Sequence, residues 1–263
     1  MAITTLDGYV ASNRQILTFS RSATITGTAA VRSSMYHLAG DPGAGTLAGT
    51  STTAGVLVTS STAGFPTIKN TGAANYYLSR VAFTNSVIGT VIVQDLLYKA
   101  GAYSFNSNVT LSAQPSIAGR VPGGAYGGID MYFECVTAFT GIPTVTVTYT
   151  NQDGVAGRTT GAFSLGTAPV VGKLVKLPLQ AGDSGVQKVE SVVATVATVG
   201  TFNIQLVRDI WIGRLPIANG SVLDGFDKTG LTEIYQTSAL NFLPQADGTS
   251  SGLIGGFVEI ASG

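Results

Sequence analysis

Charged side chains are scarce in this sequence. Asp, Glu, Lys and Arg make up 11% of its 263 residues, against about 25% in typical soluble domains. Acidic and basic residues number 14 each, so the formal net charge is zero. A protein that neutralises phosphate groups needs several Lys or Arg side chains on one face. Because the sequence has no basic cluster, direct nucleic-acid binding is not expected.

Residues that carry metal or nucleophilic chemistry are equally few. Cys135 is the single cysteine, which rules out an intrachain disulfide, and its apolar surroundings (Met131–Val136) predict a small buried hydrophobic side chain. His37 is the single histidine, and no acidic partner is implied for it. Asp224 and Asp227 could offer oxygen ligands to Ca²⁺, but Asp224-Gly225 is typical of a turn. We expect no catalytic residues, no metal and no cofactor.

Long apolar runs are also missing. No stretch of about 18 apolar residues occurs, so no membrane-spanning helix is expected. The first residues show neither a basic segment nor an apolar segment of a secretory leader. The expectation is a protein made and folded in a cytosol.

Glycine and apolar residues are abundant instead. The chain has 34 Gly, and hydrophobic residues make up 44%, which favours a folded protein over a disordered one. The surface should be rich in glycine and hydroxyl groups, and such a surface offers little charge repulsion to close association. Burial in an assembly is the first hypothesis, and a soluble β-protein with an uncharged polar coat is the alternative.

The clearest local pattern is Thr144–Thr150. Val145, Val147 and Tyr149 alternate strictly with four threonines, and a period of two predicts a half-buried β-strand. The following Asp153-Gly154 predicts a turn.

Other stretches predict further strands between glycine-rich turns. Thr90–Lys99 could be a buried strand or a short helix. Val186–Ala197 and Thr201–Ile212 are predicted to pair as a hairpin joined at Thr198–Gly200, with a bulge at Val207-Arg208. The remaining predicted core strands are Ala74–Phe83 and Ile129–Phe139.

These elements predict an all-β fold, a jelly-roll-like β-sandwich with extended terminal arms. The predicted divisions are an N-terminal arm (1–15), the β-sandwich (16–215) and a C-terminal segment (216–263). In the last segment the near-helical spacing of apolar residues predicts a short helix at Leu231–Ala239. Gly255–Ile260 is predicted to be a last strand or an arm that docks on a neighbour.

Val145–Thr160 resembles a motif in virion structural proteins of tailed bacteriophages. Three further stretches fit the same resemblance in the same order over about residues 30–210: Ala39–Gly45, the region from Tyr77 followed by Leu96–Tyr98, and Leu177–Val186. The resemblance implies a non-enzymatic β-sandwich subunit that coats or cements a capsid. It implies no catalytic residues.

The leading hypothesis is therefore a head decoration or cement subunit on the capsid surface, made in the host cytoplasm. Its partners would be the major capsid protein and copies of itself, with a trimer favoured. The expected interface residues are Arg158, Asp153, Tyr9 and Phe257.

Two alternatives stay open at this point. One is another virion part, such as a tail or baseplate subunit or the major shell protein. The other is a carbohydrate-binding receptor-recognition β-sandwich, in which Tyr126 and Trp211 could stack on sugars, although Trp211 lies in an apolar strand and is expected in the core.

Overall fold

The computed structural model describes residues 3, 5–166, 170–195 and 199–263. Helix is confined in these residues to the α-helices α1 (Leu6–Ala11) and α2 (Phe226–Thr229) and to 3-10 turns at Ala118–Arg120 and Pro122–Gly124. The remaining regular structure is antiparallel β-strand, arranged in three sheets. The prediction of an all-β fold is confirmed.

The central sheet contains the two longest strands. Its strands are β2 (Arg32–Ser33), β4 (Ser51–Leu57), β6 (Gly89–Ser104), β8 (Ile129–Thr137), β12 (Lys173–Lys176), β14 (Thr201–Leu215) and β17 (Leu240–Ala246). The spatial order is β17-β6-β14-β8-β12-β2, and β4 adds to β6. The apolar run at Thr90–Lys99 is thus strand rather than helix.

A second sheet, here called the terminal sheet, holds both ends of the described chain. Its strands are β1 (Asn13–Arg21), β3 (Gly40–Asp41), β5 (Tyr76–Asn85), β15 (Ser221–Asp224), β16 (Thr232–Ile234) and β18 (Ile254–Ser262). The order is β15-β5-β18-β1-β3, with β16 also paired to β5.

The third sheet, here called the distal sheet, contains the alternating Thr-Val segment. Its strands are β7 (Asn108–Thr110), β9 (Thr144–Asn151), β10 (Arg158–Thr159), β11 (Phe163–Ser164) and β13 (Val186–Thr195). On β9, Val145, Val147 and Tyr149 are fully buried, as the period-two pattern predicts.

Both smaller sheets pack against the central sheet, along different parts of β6 and β14. Phe133 and Phe202 of the central sheet join Val147 of the distal sheet in one core. Val93 and Trp211 of the central sheet join residues of the terminal sheet such as Val258 in a second core. The predicted β-sandwich architecture is confirmed, and the central sheet is shared by two layers.

A third core covers the central sheet with the long segment 34–65. Tyr36, Leu47 and Phe65 of this segment pack on Leu96 and Tyr132. The segment also reaches the sheet through polar contacts, among them those of the Tyr36 hydroxyl with Glu134 and Lys99.

The predicted hairpin of β13 and β14 is wrong. β13 pairs with β9 and β7 in the distal sheet, whereas β14 pairs with β6 and β8 in the central sheet. Thr198, in the turn predicted for this hairpin, lies outside the described residues. The predicted bulge is confirmed, because the β6–β14 register shifts between Leu206 and Val207. Each strand is paired on both edges by other strands, β13 by β9 and β7 and β14 by β6 and β8, so neither has an edge left for the other.

Near the two ends of the described chain, Asn13–Arg21 and Ile254–Ser262 are strands of the terminal sheet rather than extended arms. Helix α1 occupies part of the predicted N-terminal arm, and β1 pairs with β18 from Asn13↔Ser262 to Ser20↔Gly255. β18 also pairs with β5, so Gly255–Ile260 is a last strand. Pairing on both edges satisfies backbone groups that an arm would leave to solvent.

The short helix predicted at Leu231–Ala239 is also wrong. Thr232–Ile234 pairs with Tyr76–Leu78 as an edge strand, and the backbone of Leu231 has a φ of 49°. Sheet pairing therefore overrides the near-helical spacing of the apolar residues.

Candidate assembly surface

The outer face of the terminal sheet carries an exposed apolar surface. Along β18, Val258 and Ile260 point into the core, so Phe257 and Glu259 point outward. Phe257 lies between Ala82 and Thr18, and Glu259 lies between Arg80 and Ile16. Ile16 is 61% exposed, and Leu223 on the edge strand is 58% exposed.

Helix α1 packs on the same outer face and extends this surface. Thr5 caps the helix by accepting a hydrogen bond from the Gly8 N–H at 3.0 Å. Ile3, Tyr9 and Ala261 form a small core beneath it, which leaves Leu6 and Val10 60% and 64% exposed. Helix α1 is therefore anchored to the sheet on the side that carries Tyr9, and the side that carries Leu6 and Val10 faces solvent.

Tyr9 is the anchor of helix α1. Its hydroxyl donates to Glu259 Oε1 at 2.7 Å, and its ring lies 5.1 Å from the ring of Phe226. Glu259 also accepts from Ser79 Oγ at 3.0 Å and pairs with Arg80 at 3.5 Å. Tyr9 is therefore buried within the chain, and its predicted part in an interface stays a prediction.

Together these side chains define what we call the outer-face patch. Its members are apolar, lie on helix α1, helix α2 or the outer face of the terminal sheet, and are at least partly exposed: Leu6, Val10, Ile16, Leu223, Phe226 and Phe257. Arg80 lies over the Phe257 ring at 5.7 Å. The patch contains Phe257, one of the expected interface residues, and it is built on Tyr9, another.

The other two expected interface residues lie together in the distal sheet. Arg158 follows the turn after β9 and pairs back with Tyr149, and exposed Asp153 lies in that turn, where its carboxylate accepts from Gln152 Nε2 at 2.7 Å. The sequence alone did not show that the four expected residues divide between two sheets.

Arg158 is engaged inside the chain. Its Nε donates to Asp183 Oδ2 at 2.9 Å, and Tyr149 and Asn151 donate to the same carboxylate at 2.7 and 2.8 Å. The hydrogen bond from Arg158 is the main cause that lowers the pKa of Asp183 to about 2. This network fixes the β9–β10 hairpin, and the interface role of Arg158 and Asp153 stays a prediction.

The candidate catalytic and metal residues occupy structural positions. Burial lowers the pKa of His37, and the charge of Arg21 lowers it further. Burial raises the pKa of the Cys135 thiol to about 12, which disfavours the reactive thiolate. Asp224 accepts from the Trp211 indole at 3.1 Å, and Trp211 is buried in the core as expected. Among the described residues, no group of three or more His, Cys, Asp or Glu side chains is arranged to hold a metal ion.

A buried polar cluster on the central sheet was not predicted from the sequence. It joins Lys99 of β6, Glu134 of β8 and Asn203 of β14 to Tyr36 and Leu47 of the covering segment. The available signal was Glu134 itself, a carboxylate within the apolar stretch Met131–Val136. The spacing of these residues along the chain gives no indication that they meet.

Comparisons with known proteins add little to this geometry. No protein-family model and no curated protein matches the chain. Among solved structures, infectious bursal disease virus of the Gx strain aligns over 95% of this chain and 81% of that one, at 9% identity and a TM-score of 0.20. The VP2 subviral particle of the same virus aligns over the same shares at 8% identity and a TM-score of 0.21. Superpositions this poor carry no argument about fold or function. None of the described helices has the length and apolar character needed to cross a membrane.

Proposed function

We propose that the protein is a non-enzymatic structural subunit of a bacteriophage particle, acting as a decoration or cement protein on the capsid. It binds the major capsid protein and copies of itself, and a trimer is the favoured oligomer. The observation that carries the proposal is the outer-face patch, which leaves six apolar side chains at least partly exposed on one face.

The chemistry of the patch suits a protein partner. Contiguous exposed apolar surface is typical of interaction sites, and aromatic side chains such as Phe257 are enriched where interfaces are buried. The chain carries no net charge and 11% charged residues, so copies can approach one another with little long-range repulsion.

A cement role follows from mass action. A subunit that binds the assembled shell more tightly than its free components shifts the equilibrium toward the shell. The resemblance of Val145–Thr160 to phage virion proteins supports this setting over a free soluble protein.

The test begins with light scattering on the purified chain, alone and after mixing with undecorated tailed-phage capsids. We expect the purified chain to form a closed oligomer that sediments with capsids. Replacing Ile16 and Phe257 by Ser should shift the oligomer toward monomer and reduce capsid binding at least tenfold.

Ile142→Ser provides the matched control. Ile142 is 57% exposed, close to the exposure of Ile16, but it lies outside the patch. The control should keep the oligomer and capsid binding. A monomer that ignores capsids would overturn the proposal, and an oligomer that ignores capsids would leave a tail or baseplate subunit in place of a cement protein.

A further inference from the structure

Three side chains with complementary chemistry meet under the segment 34–65. Lys99, Asn203 and Glu134 lie on the neighbouring strands β6, β14 and β8, with Asn203 directly opposite Glu134 in the register. Lys99 is 6% exposed, and the other two are fully buried. A lysine amine, a carboxamide and a carboxylate are thus confined together away from water.

The hydrogen bonds place the amine beside the amide. Lys99 Nζ and Asn203 Nδ2 both donate to the carbonyl oxygen of Leu47, at 3.3 and 2.7 Å. Lys99 Nζ also donates to the Thr46 carbonyl at 3.0 Å. The two nitrogens therefore converge on one acceptor, the carbonyl oxygen of Leu47.

Glu134 is connected to both nitrogens. Its Oε2 accepts from Asn203 Nδ2 at 2.7 Å and from the Tyr36 hydroxyl at 3.3 Å. That hydroxyl in turn accepts from Lys99 Nζ at 3.2 Å. A proton can therefore pass between the amine and the carboxylate through one hydroxyl, and from the carboxylate directly to the amide nitrogen.

The remaining amide atom is also held. Asn203 Oδ1 accepts from the Gly49 N–H at 2.9 Å. A fixed N–H at this oxygen stabilises the negative charge that develops there when a nucleophile adds to the carbonyl carbon.

Burial shifts the pKa of the amine and the pKa of the carboxyl group toward their neutral forms. Burial is the main influence on both groups, and it lowers the pKa of Lys99 and raises the pKa of Glu134. A neutral amine is nucleophilic, whereas an ammonium group is not, and desolvation is a recognised route to an activated lysine.

We propose that Lys99 and Asn203 form an intramolecular amide cross-link, with Glu134 as the proton carrier. The Lys99 nitrogen adds to Asn203 Cγ, and the carbonyl electron pair moves to Oδ1. Glu134, having taken a proton from the amine through Tyr36, delivers it to Nδ2. The Cγ–Nδ2 bond breaks and the carbonyl re-forms. The departing ammonia takes the second amine proton and leaves as ammonium. One N–C bond forms, one breaks, and no oxidant or cofactor is needed.

The reaction needs no external catalyst, because the fold holds the reacting side chains together. Reacting groups held next to each other gain an effective concentration far above any solution value. The bond would join β6 to its neighbour β14, the two longest strands of the central sheet. The inference concerns the interior of one chain, so it stands or falls separately from the proposed function.

A second amide competes for the same amine. Gln205 lies directly opposite Lys99 in the register, and among the described residues its side-chain oxygen and nitrogen have no hydrogen-bond partner. Gln205 also lacks the contacts to Glu134 and Gly49 that Asn203 has. We therefore assign Asn203 as the acceptor, and peptide mapping can separate the two.

The decisive measurement is the intact mass of the purified full chain after unfolding in denaturant. The cross-linked chain should weigh less than its sequence by one ammonia, once N-terminal processing is assigned. A protease digest should contain one branched peptide that joins Lys99 to Asn203, with no cleavage after Lys99. A mass equal to that of the sequence, or a branch at Gln205, would overturn the inference.

Two variants test the assigned roles. Glu134→Gln keeps the amine and the amide but removes the proton carrier, so its mass should show no loss. Gln205→Met removes the competing amide and should keep the full loss and the same branched peptide. Loss of ammonia in Glu134→Gln would show that Glu134 takes no part in the reaction. If that variant does not fold, the mass and digest of the unaltered chain still decide whether the cross-link forms.

Discussion

Tyr9 and Glu259 lie 250 positions apart in the sequence and share a hydrogen bond of 2.7 Å between the Tyr9 hydroxyl and Oε1 of Glu259. The bond ties helix α1 to β18 and holds one side of the outer-face patch in place. Glu259 is almost fully buried, so each of its hydrogen bonds replaces water that the carboxylate loses on folding.

Tyr9→Phe should destabilise the protein by about 1.5–3 kcal/mol, the usual range for a hydrogen bond to a charged group. Urea unfolding followed by tryptophan fluorescence measures the loss. Tyr77→Phe is the matched control, because Tyr77 packs against the same small core. The control should change stability by less than about 0.5 kcal/mol, and equal losses in both variants would contradict the role given to the Tyr9 hydroxyl.

Acid should weaken the network around Asp183. The folded-state pKa of Asp183 is about 2, whereas an unfolded Asp titrates near ~3.9. Because the folded pKa is the lower one, the stabilisation is fully present above pH ~4 and is lost as the pH falls toward ~2. Urea midpoints across this window should fall more steeply for the unaltered chain than for Asp183→Asn. Parallel curves would show that Arg158 does not stabilise the ionised carboxylate.

The aromatic core between the central and distal sheets should be sensitive to truncation. Phe202 is fully buried, and its ring contacts Phe105 and Phe133 at centroid distances of 5.0 and 5.1 Å. Phe202→Ala should cost about 3–5 kcal/mol through lost burial and the cavity left behind.

Ile212→Ala on the same strand is the control for Phe202→Ala. Ile212 is 57% exposed, so its truncation should cost less than about 0.5 kcal/mol. Differential scanning calorimetry compares the two variants, and similar melting temperatures would contradict the placement of Phe202 in the core.

Local patterns in the sequence predict individual strands, and they do so for a physical reason. In Thr144–Thr150, Val145, Val147 and Tyr149 share one face of the pleat, and all three are buried. That alternation depends only on neighbouring residues. It carries no information about which strand lies alongside.

The sequence does not predict which strands share a sheet. β13 and β14 are neighbours in the chain but enter different sheets, because their partners come from distant segments. The pairing of β1 with β18 joins the two ends of the described chain and leaves no local signal. The same holds for the site: Tyr9 and Phe257 share a sheet face, and Lys99 meets Asn203, only once these long-range pairings are known.

Arg120 and Asp95 form a buried ion pair, in which the two side chains are 6% and 0% exposed. Asp95 also accepts from Ser238 Oγ at 2.7 Å and from the Ala239 N–H at 3.0 Å. Arg120 donates to the carbonyl oxygens of Val58 and Leu96 as well. The pair therefore joins segment 34–65 and the turn before β17 to the middle of β6.

Arg120→Met should destabilise the protein by about 3–5 kcal/mol, because it leaves the Asp95 carboxylate buried without its positive partner. Asp95→Asn in the Arg120→Met background should recover part of that loss, since a neutral amide costs less to bury than an unpaired carboxylate. Urea unfolding measures the free energy of unfolding of Arg120→Met and of the double variant. A double variant no more stable than Arg120→Met would show that the uncompensated Asp95 charge is not the main cost of losing Arg120.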